Sequence, residues 1–393
     1  MPWQESSTMS LRLAFVQACL DRREKIVTIC DRFEISEKTG HKWLRRFRDG
    51  GEAALADHSH AARAHPHHVG DAVVARILAL RKKHPLYGPV KLRDWLEQHE
   101  PGTCWPAPST IGDLLKGAGL VHRRRQRHTG HAPLVSGRTV ASTPNLVWTA
   151  DFKGQFRVGA GVYCYPLTVL DLHTHFLLGC TSLPSTAVRT ARAQFVRLFS
   201  EYGLPAVLRT DTGVPFAQPN ALGRLGSLAF WWVRLGIRPE HTRPATPSEN
   251  GAHERFHKTL KAHTTRPTSA PTLRAQQQRF DRFQTEYNTE RPHESTVAHR
   301  PPASAYVPST RPYPSRVPTL YYPDADDVRR VDGSGAIKWR NHAIFLSHNL
   351  ARMDVAVHEV DDDTFRIRYA QLILGSFDLR RARFTPDVRW EAE

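Results

Sequence analysis

The sequence predicts a multidomain fold: all-α helix-turn-helix units at the N-terminus, a central α/β domain built on a mixed sheet, and a small C-terminal β-barrel. Three observations carry this prediction. The 393 residues exceed one ordinary domain. Apolar residues recur with helical spacing up to residue 121 and alternate with strand spacing from residue 146. A stretch rich in proline, residues 295–318, then separates a long helix from a run of short strands. The expected domains are therefore 1–57 (helix-turn-helix), 69–121 (a second helix-turn-helix or winged helix), 122–145 (basic linker), 146–294 (α/β core), 295–318 (linker) and 319–393 (barrel).

Residues 11–20, 25–33 and 36–48 read as three short helices. Ile26, Ile29, Cys30 and Phe33 form one apolar stripe, and Trp43, Leu44 and Phe47 form another that can pack on it. The third helix then exposes Lys38, Lys42, Arg45 and Arg46, the arrangement that lays a basic helix in a major groove. Gly40 in its middle weakens the helix by about 1 kcal/mol relative to alanine. A second helical block follows at 71–84, 89–98 and 109–115, and two such units in tandem read a longer DNA site than one. Arg123, Arg124, Arg125 and Arg127 then make a run suited to phosphate contact without sequence reading.

From residue 146 the expected order is strand (146–152), strand (163–170), strand (176–183), helix (187–202), strand (206–210), helix (228–235), a short extended piece at 237–239, and helices at 247–261 and 273–287. That order builds a mixed sheet with helices against it. After the proline-rich stretch, strands at 328–331, 336–339, 341–346, 353–360, 364–369 and 371–376, broken by turn signals, suggest the barrel.

Composition narrows the function. With 55 Lys and Arg against 38 Asp and Glu, the formal charge of +17 favours a polyanionic partner, nucleic acid before an anionic membrane surface. No run of about 18 apolar residues suggests a membrane span, so a soluble protein is expected, cytoplasmic and associated with the nucleoid when bound to DNA. The five cysteines are scattered without a C-x-x-C pair, which argues against a disulfide framework or a cysteine-based zinc knuckle.

The chemistry lies in three acids. Asp151 and Asp211 close predicted strands, and Glu254 projects from the polar stripe Asn250, Glu254, His257, Lys261 of a helix whose other side carries Ala252, Phe256 and Leu260. Three carboxylates converging in a basic protein repel one another unless divalent cations hold them together. Oxygen-only ligands suit Mg²⁺ or Mn²⁺, and two such ions about 3.5–4 Å apart can activate the attacking oxygen and stabilise the leaving oxygen of a phosphodiester. Asp171 also ends a strand and reads as a turn former.

The segments Trp148-Thr-Ala-Asp-Phe-Lys153, Arg209-Thr-Asp-Thr-Gly213, Pro247-x-x-Asn250-Gly-x-x-Glu254-Arg-x-His257-x-Thr-Leu-Lys261 and Tyr287-Asn-x-x-Arg291-Pro-His293 resemble the catalytic core of insertion-sequence DDE transposases, of the retroviral-integrase superfamily. The resemblance implies an RNase H-like central domain, and Asp151, Asp211 and Glu254 as the catalytic and metal-binding triad. It further implies Mg²⁺, replaceable by Mn²⁺, with two ions when DNA is bound. Transposon-end and target DNA become the expected partners, engaged by a homodimer or larger assembly. Thr212 replaces the family's usual asparagine after the second aspartate, and the interval from Asp211 to Glu254 exceeds the commonest one. Lys153, Lys258 and Lys261 are placed to clamp phosphates, with Asn250 beside them and His257 suited to orient DNA or assist proton transfer. The rival readings are a domesticated transposase that regulates by DNA binding alone, and a general nuclease.

Overall fold

The computed structural model describes residues 7–57, 69–121, 138–159, 161–242, 251–266 and 268–391. Asn250 and Arg123, Arg124, Arg125 and Arg127 lie outside the described residues. The chain divides into two compact units, residues 1–70 and 71–393.

The first unit holds α1 (Thr8–Leu20), α2 (Ile26–Arg32) and α3 (Glu37–Gly50). Serine starts two of them: the Ser7 hydroxyl accepts from Ser10 N–H at 3.1 Å and the Ser36 hydroxyl from Thr39 N–H at 3.3 Å, each satisfying an otherwise unpaired donor. Phe15, Val16, Ile29, Cys30, Trp43, Leu44 and Leu55 form the core, as the two apolar stripes require. Gly40 has a packing reason: a Cβ there would come within 2.5 Å of Cys30 Sγ and 2.9 Å of the Phe15 ring. Close helix contact offsets the weak helix propensity of glycine.

The second unit begins with α4 (Asp71–Lys83), α5 (Pro89–His99) and α6 (Pro108–Gly117), the latter two opened by proline in the first turn. Tyr87, Leu92, Leu96 and Ile111 are fully enclosed between them. This helical block is seated on the α/β core. His84 Nδ1 lies 3.1 Å from Glu286, Lys91 Nζ donates to the Pro292 carbonyl at 2.9 Å, and His299 Nδ1 lies 3.0 Å from Asp94.

The central sheet runs β2 (Phe156–Arg157), β3 (Tyr163–Asp171), β1 (Val147–Phe152), β5 (Val207–Thr210) and β6 (Arg238–His241), with β4 (Leu177–Leu183) also paired to β3. β1 is antiparallel to β3 and parallel to β5, so the sheet is mixed as expected. Strand alternation divides the faces. Trp148, Ala150, Leu167 and Val169 enter a large core with α7 (Val188–Tyr202) and α8 (Ser227–Arg234). Leu170, Leu177 and Cys180 turn the other way, against Phe256 and Leu260 of α9 (Gly251–Thr264) and Phe280, Phe283 and Tyr287 of α10 (Leu273–Thr289). Side chains of α10 also bond the backbone of β4: Asn288 accepts from Leu177 N–H at 2.9 Å and Gln277 from Ser182 N–H at 2.7 Å. Polar groups of that strand are thereby satisfied. Pro239 lies in β6, at the end of the sheet, where the missing N–H costs least.

The C-terminal part departs from expectation. Among the described residues β7 (Asp327–Arg330), β10 (Asp354–Asp361), β11 (Thr364–Tyr369), β12 (Leu372–Asp378) and β13 (Arg383–Trp390) form an open sheet in the order β13-β12-β11-β10-β7, beside the hairpin β8 (Ala336–Trp339) and β9 (His342–Phe345). The barrel does not close. The apolar face needs no closure because the core covers it: Tyr369 meets Phe230 at 5.6 Å between ring centroids, in one continuous cluster with Trp232 and Leu374. Loop residues 213–226 complete this seat. Asn349 Nδ2 donates to Gln218 at 2.8 Å and to the Leu225 carbonyl at 3.0 Å, and Val388 packs so closely on Gly223 that a Cβ there would approach to 2.8 Å. The proline-rich stretch is bound too, with Arg311 donating to the carbonyls of Pro205, Leu235 and Gly236 at 2.8–3.0 Å.

Candidate metal centre and its histidine support

Strand register brings the first two acids together. Ala150 of β1 pairs with Thr210 of the parallel strand β5, so Asp151 and Asp211 each follow a matched pair on neighbouring strands. Such strands lie about 4.8 Å apart. Both side chains are partly enclosed, and Asp211 Oδ1 accepts from Gly213 N–H at 3.2 Å. A Cβ on Gly213 would come within 3.0 Å of Asp211 Oδ2, so glycine leaves room for that carboxylate. Glu254, in the first turn of α9, is exposed.

Asp151 senses the charge of both other acids, although the ligand atoms of the three do not all come within 4.8 Å of one another. Burial, then the negative charge of Asp211, with Glu254 adding to it, push the Asp151 carboxyl up to about 7 against the opposing Phe152 N–H and Lys153. Burial also raises Asp211, opposed by the Gly213 N–H. Carboxylates kept near one another at this cost, offering oxygen, suit a divalent cation.

Beneath the acids lies a polar hub that sequence reasoning missed. Thr168 of β3 pairs with Asp151, and Thr149 precedes Asp151 by two, so all three share the face that receives α9. Thr168 Oγ1 donates to the Asp151 carbonyl at 3.0 Å and lies 2.7 Å from His253 Nε2 and 2.8 Å from His257 Nε2. A hydroxyl has one proton, so both imidazoles donate through Nε2. His253 Nδ1 is then the acceptor for the Thr149 hydroxyl at 3.3 Å. Nδ1 of His257, left without a proton, stands 3.8 Å from Asp151 Oδ2. Burial holds both rings neutral, His253 down to about 3 and His257 down to about 2. Asp151, His253 and His257 can bring ligand atoms within 4.8 Å of one another, but both His253 nitrogens are engaged by threonines. The spacing His253-x-x-x-His257, one helical turn on the face of Phe256 and Leu260, was the available signal.

The remaining residues divide. His257, expected on the exposed stripe, is buried at 6% exposure. It stands about 60° around the helix from both Glu254 and Leu260, and packing draws it inward. Lys258 and Lys261 are exposed; Lys261 and Lys153 line one small cavity of about 80 Å³. In the first unit Lys38, Lys42 and Arg45 are exposed, and Arg46 is half-buried with its guanidinium 5.0 Å from the Trp43 ring. Asp171 holds its turn, accepting from Thr174 N–H at 2.8 Å and Asn145 N–H at 2.7 Å.

Comparison with known proteins agrees with this layout. The integrase core domain family matches residues 141–247, containing Asp151 and Asp211, and residues 235–302, containing Glu254. A helix-turn-helix domain matches residues 11–63 and a homeodomain-like domain residues 39–115. The Pol polyprotein of Feline endogenous virus ECE1 is 26% identical over 132 residues, which are 33% of this chain and 12% of that polyprotein. Among solved structures, the HTLV-2 integrase catalytic core domain in complex with magnesium is similar at 11% identity and TM-score 0.30, over 42% of this chain and 99% of its own. The simian T-cell lymphotropic virus intasome, in complex with PP2A regulatory subunit B56 gamma, is similar at 14% identity and TM-score 0.36, over 76% of this chain and 97% of its own. Residues 141–302 thus match the integrase core domain family, and residues 11–115 ahead of them match helix-turn-helix and homeodomain-like families.

Proposed function

We propose that the protein is a DDE transposase whose N-terminal modules bind the terminal inverted repeats of a mobile element and whose core cuts and joins DNA strands. One observation supports this reading above the rest: Asp151 and Asp211 leave adjacent parallel strands in register, and Glu254 bears on the same carboxyl. The domain expectation, with DNA-reading modules ahead of an α/β core, belongs to this proposal.

Asp151, Asp211 and Glu254 would hold Mg²⁺, or Mn²⁺ in its place, two ions with DNA bound. When bound, these ions supply Lewis acidity and charge neutralisation at the attacking and leaving oxygens of the phosphodiester. The chain's residues do the rest. The Thr168 hub fixes the back of the site, with the Asp151 carbonyl and the two imidazoles on one hydroxyl. Lys153 and Lys261 would hold strand phosphates at one rim, with Lys258 and Asn250 assigned to the same strand. Water attacks first and exposes a 3′-OH; that hydroxyl then attacks a phosphodiester of the target DNA, without a covalent protein intermediate. Paired ends call for a homodimer or larger assembly, working in the cytoplasm on the nucleoid.

The test uses end-sequence DNA and Mg²⁺. Wild-type protein should nick and join these ends, and Glu254→Gln should lose both while keeping its fold and end binding. Full nicking and joining by Glu254→Gln would overturn the triad. End binding by wild-type protein without cleavage in Mg²⁺ or Mn²⁺ would make it a DNA-binding regulator.

A further inference from the structure

A second charged cavity lies on the other flank of α9 and uses none of the three acids. Its volume is about 340 Å³, and its lining combines Arg255 of α9, Arg291 and His293 from the turn after α10, Lys91 of α5, and His175 from the β3–β4 connection. The helical block and the α/β core therefore share one wall.

The cations there are only partly compensated, by Glu286 acting on Arg291 and by Glu294 and Asp94 acting on Lys91. Arg291 is only 9% exposed; its guanidinium lies 5.2 Å from the Tyr87 ring centroid, and among the described residues it makes no ion pair. Arg255 is exposed and likewise has no carboxylate partner among the described residues. Lys91 spends one donor on the Pro292 carbonyl at 2.9 Å and is 3.7 Å from Glu294, the one acid in the lining, whose side chain is 69% exposed. His175 and His293 stack at 4.4 Å between centroids, and burial keeps both neutral at ordinary pH. Arg255, Arg291 and Lys91 all act on His293 with repulsive charge, which shows that the three converge on one place. A buried guanidinium that no carboxylate contacts directly is costly, and so is convergence of like charge. An anion in the cavity would relieve both.

We infer that this cavity is a phosphate site, and that its occupant is one backbone phosphate of the DNA strand entering the catalytic centre. Planar guanidinium groups and an ammonium match phosphate oxygens in number and geometry. Arg255 directly follows Glu254, so a phosphate gripped here fixes the strand beside the third acid. Lys91 ties that grip to the helical block, so seating of the block and placement of the strand become one event. The DNA assignment rests on the proposed transposase reading; the phosphate site does not.

Two experiments on the full chain separate these. Without DNA, inorganic phosphate should raise the melting temperature of wild-type protein beyond chloride of equal ionic strength. Arg255→Gln and Lys91→Met should each weaken that saturable response at least about tenfold, and Arg45→Gln, in α3, should leave it intact. With DNA, Arg255→Gln should lower the magnitude of the slope of log affinity against log salt by about one. One methylphosphonate position should weaken wild-type binding but not that of Arg255→Gln. A phosphate response unchanged in both cavity variants overturns the site. Phosphate binding lost in the variants with an unchanged salt slope overturns the DNA occupant and leaves a site for a free phosphate ester. Failure of the transposase reading would show differently, as wild-type protein that does not cleave end DNA.

Discussion

Nδ1 of His257 stands 3.8 Å from Oδ2 of Asp151 as a bare lone pair, because the opposite nitrogen of the ring is committed to Thr168. One hydroxyl thus decides which face of a buried imidazole the candidate metal centre meets. Thr168→Val should leave two buried imidazole N–H groups without an acceptor, at about 1–3 kcal/mol each, and Thr168→Ser should recover most of the loss. Chemical denaturation measures this. Nitrogen NMR of wild-type protein should show the Nε2–H form for both His253 and His257; an Nδ1–H form at His257 would contradict the hub.

The acids strain the fold that they serve. Asp151→Asn removes a charge disfavoured by burial and by Asp211, so the metal-free variant should be more stable by about 1–3 kcal/mol above neutral pH. The same variant should neither cleave nor join. Denaturant midpoints measured with a chelator present check the first statement; a less stable variant refutes it.

Acid should loosen the turn after α10. Burial, followed by the charges of His175, Lys91, Arg291 and Arg255, brings His293 down to about 3 from its ordinary 6.5; Tyr287 also lies against it, at 6.5 Å. Below pH 6.5 the unfolded chain binds a proton that the folded chain refuses. The stability contributed by neutral His293 is therefore full above pH 6.5 and is lost as pH falls toward 3. His293→Gln should flatten the melting temperature between pH 6.5 and 4.5 relative to wild type.

The C-terminal sheet should be inseparable from the core. Deleting residues 319–393 uncovers Phe230 and the cluster around it, so the shortened chain should aggregate or melt well below the full chain. Phe230→Ala in the full chain should cost about 3–5 kcal/mol. A soluble truncation that melts like the intact protein would disprove this coupling.

The sequence exposed the parts of this molecule that depend on local periodicity. Strand alternation located Asp151 and Asp211, and the stripe on α9 located Glu254, because each position is set by its own element. The hub was hidden, since it joins Thr149 and Thr168 on two strands to His253 and His257 on a helix far along the chain, and a threonine inside a strand reads as ordinary β structure. β13 was missed for a different reason: Pro386, Asp387 and two arginines, Arg383 and Arg389, interrupt its alternation, as an outer strand paired among the described residues with β12 alone permits. Without it and the docking surface on the core, a closed barrel was the natural way to bury six strands.

The pairing of β1 with β5 also works as a reading frame. Chain added after Thr210 lies downstream of the aligned pair and cannot slip Asp151 past Asp211, whereas one residue gained within either strand would send a carboxylate to the opposite face. Extra length in the loop costs little, because closure entropy grows only with the logarithm of loop size. This protein has put its long interval between the second and third acids to use. Gln218, Gly223 and Leu225 lie in it, and they meet Asn349 and Val388 of the C-terminal part, so this stretch of chain doubles as the seat on which the C-terminal sheet rests.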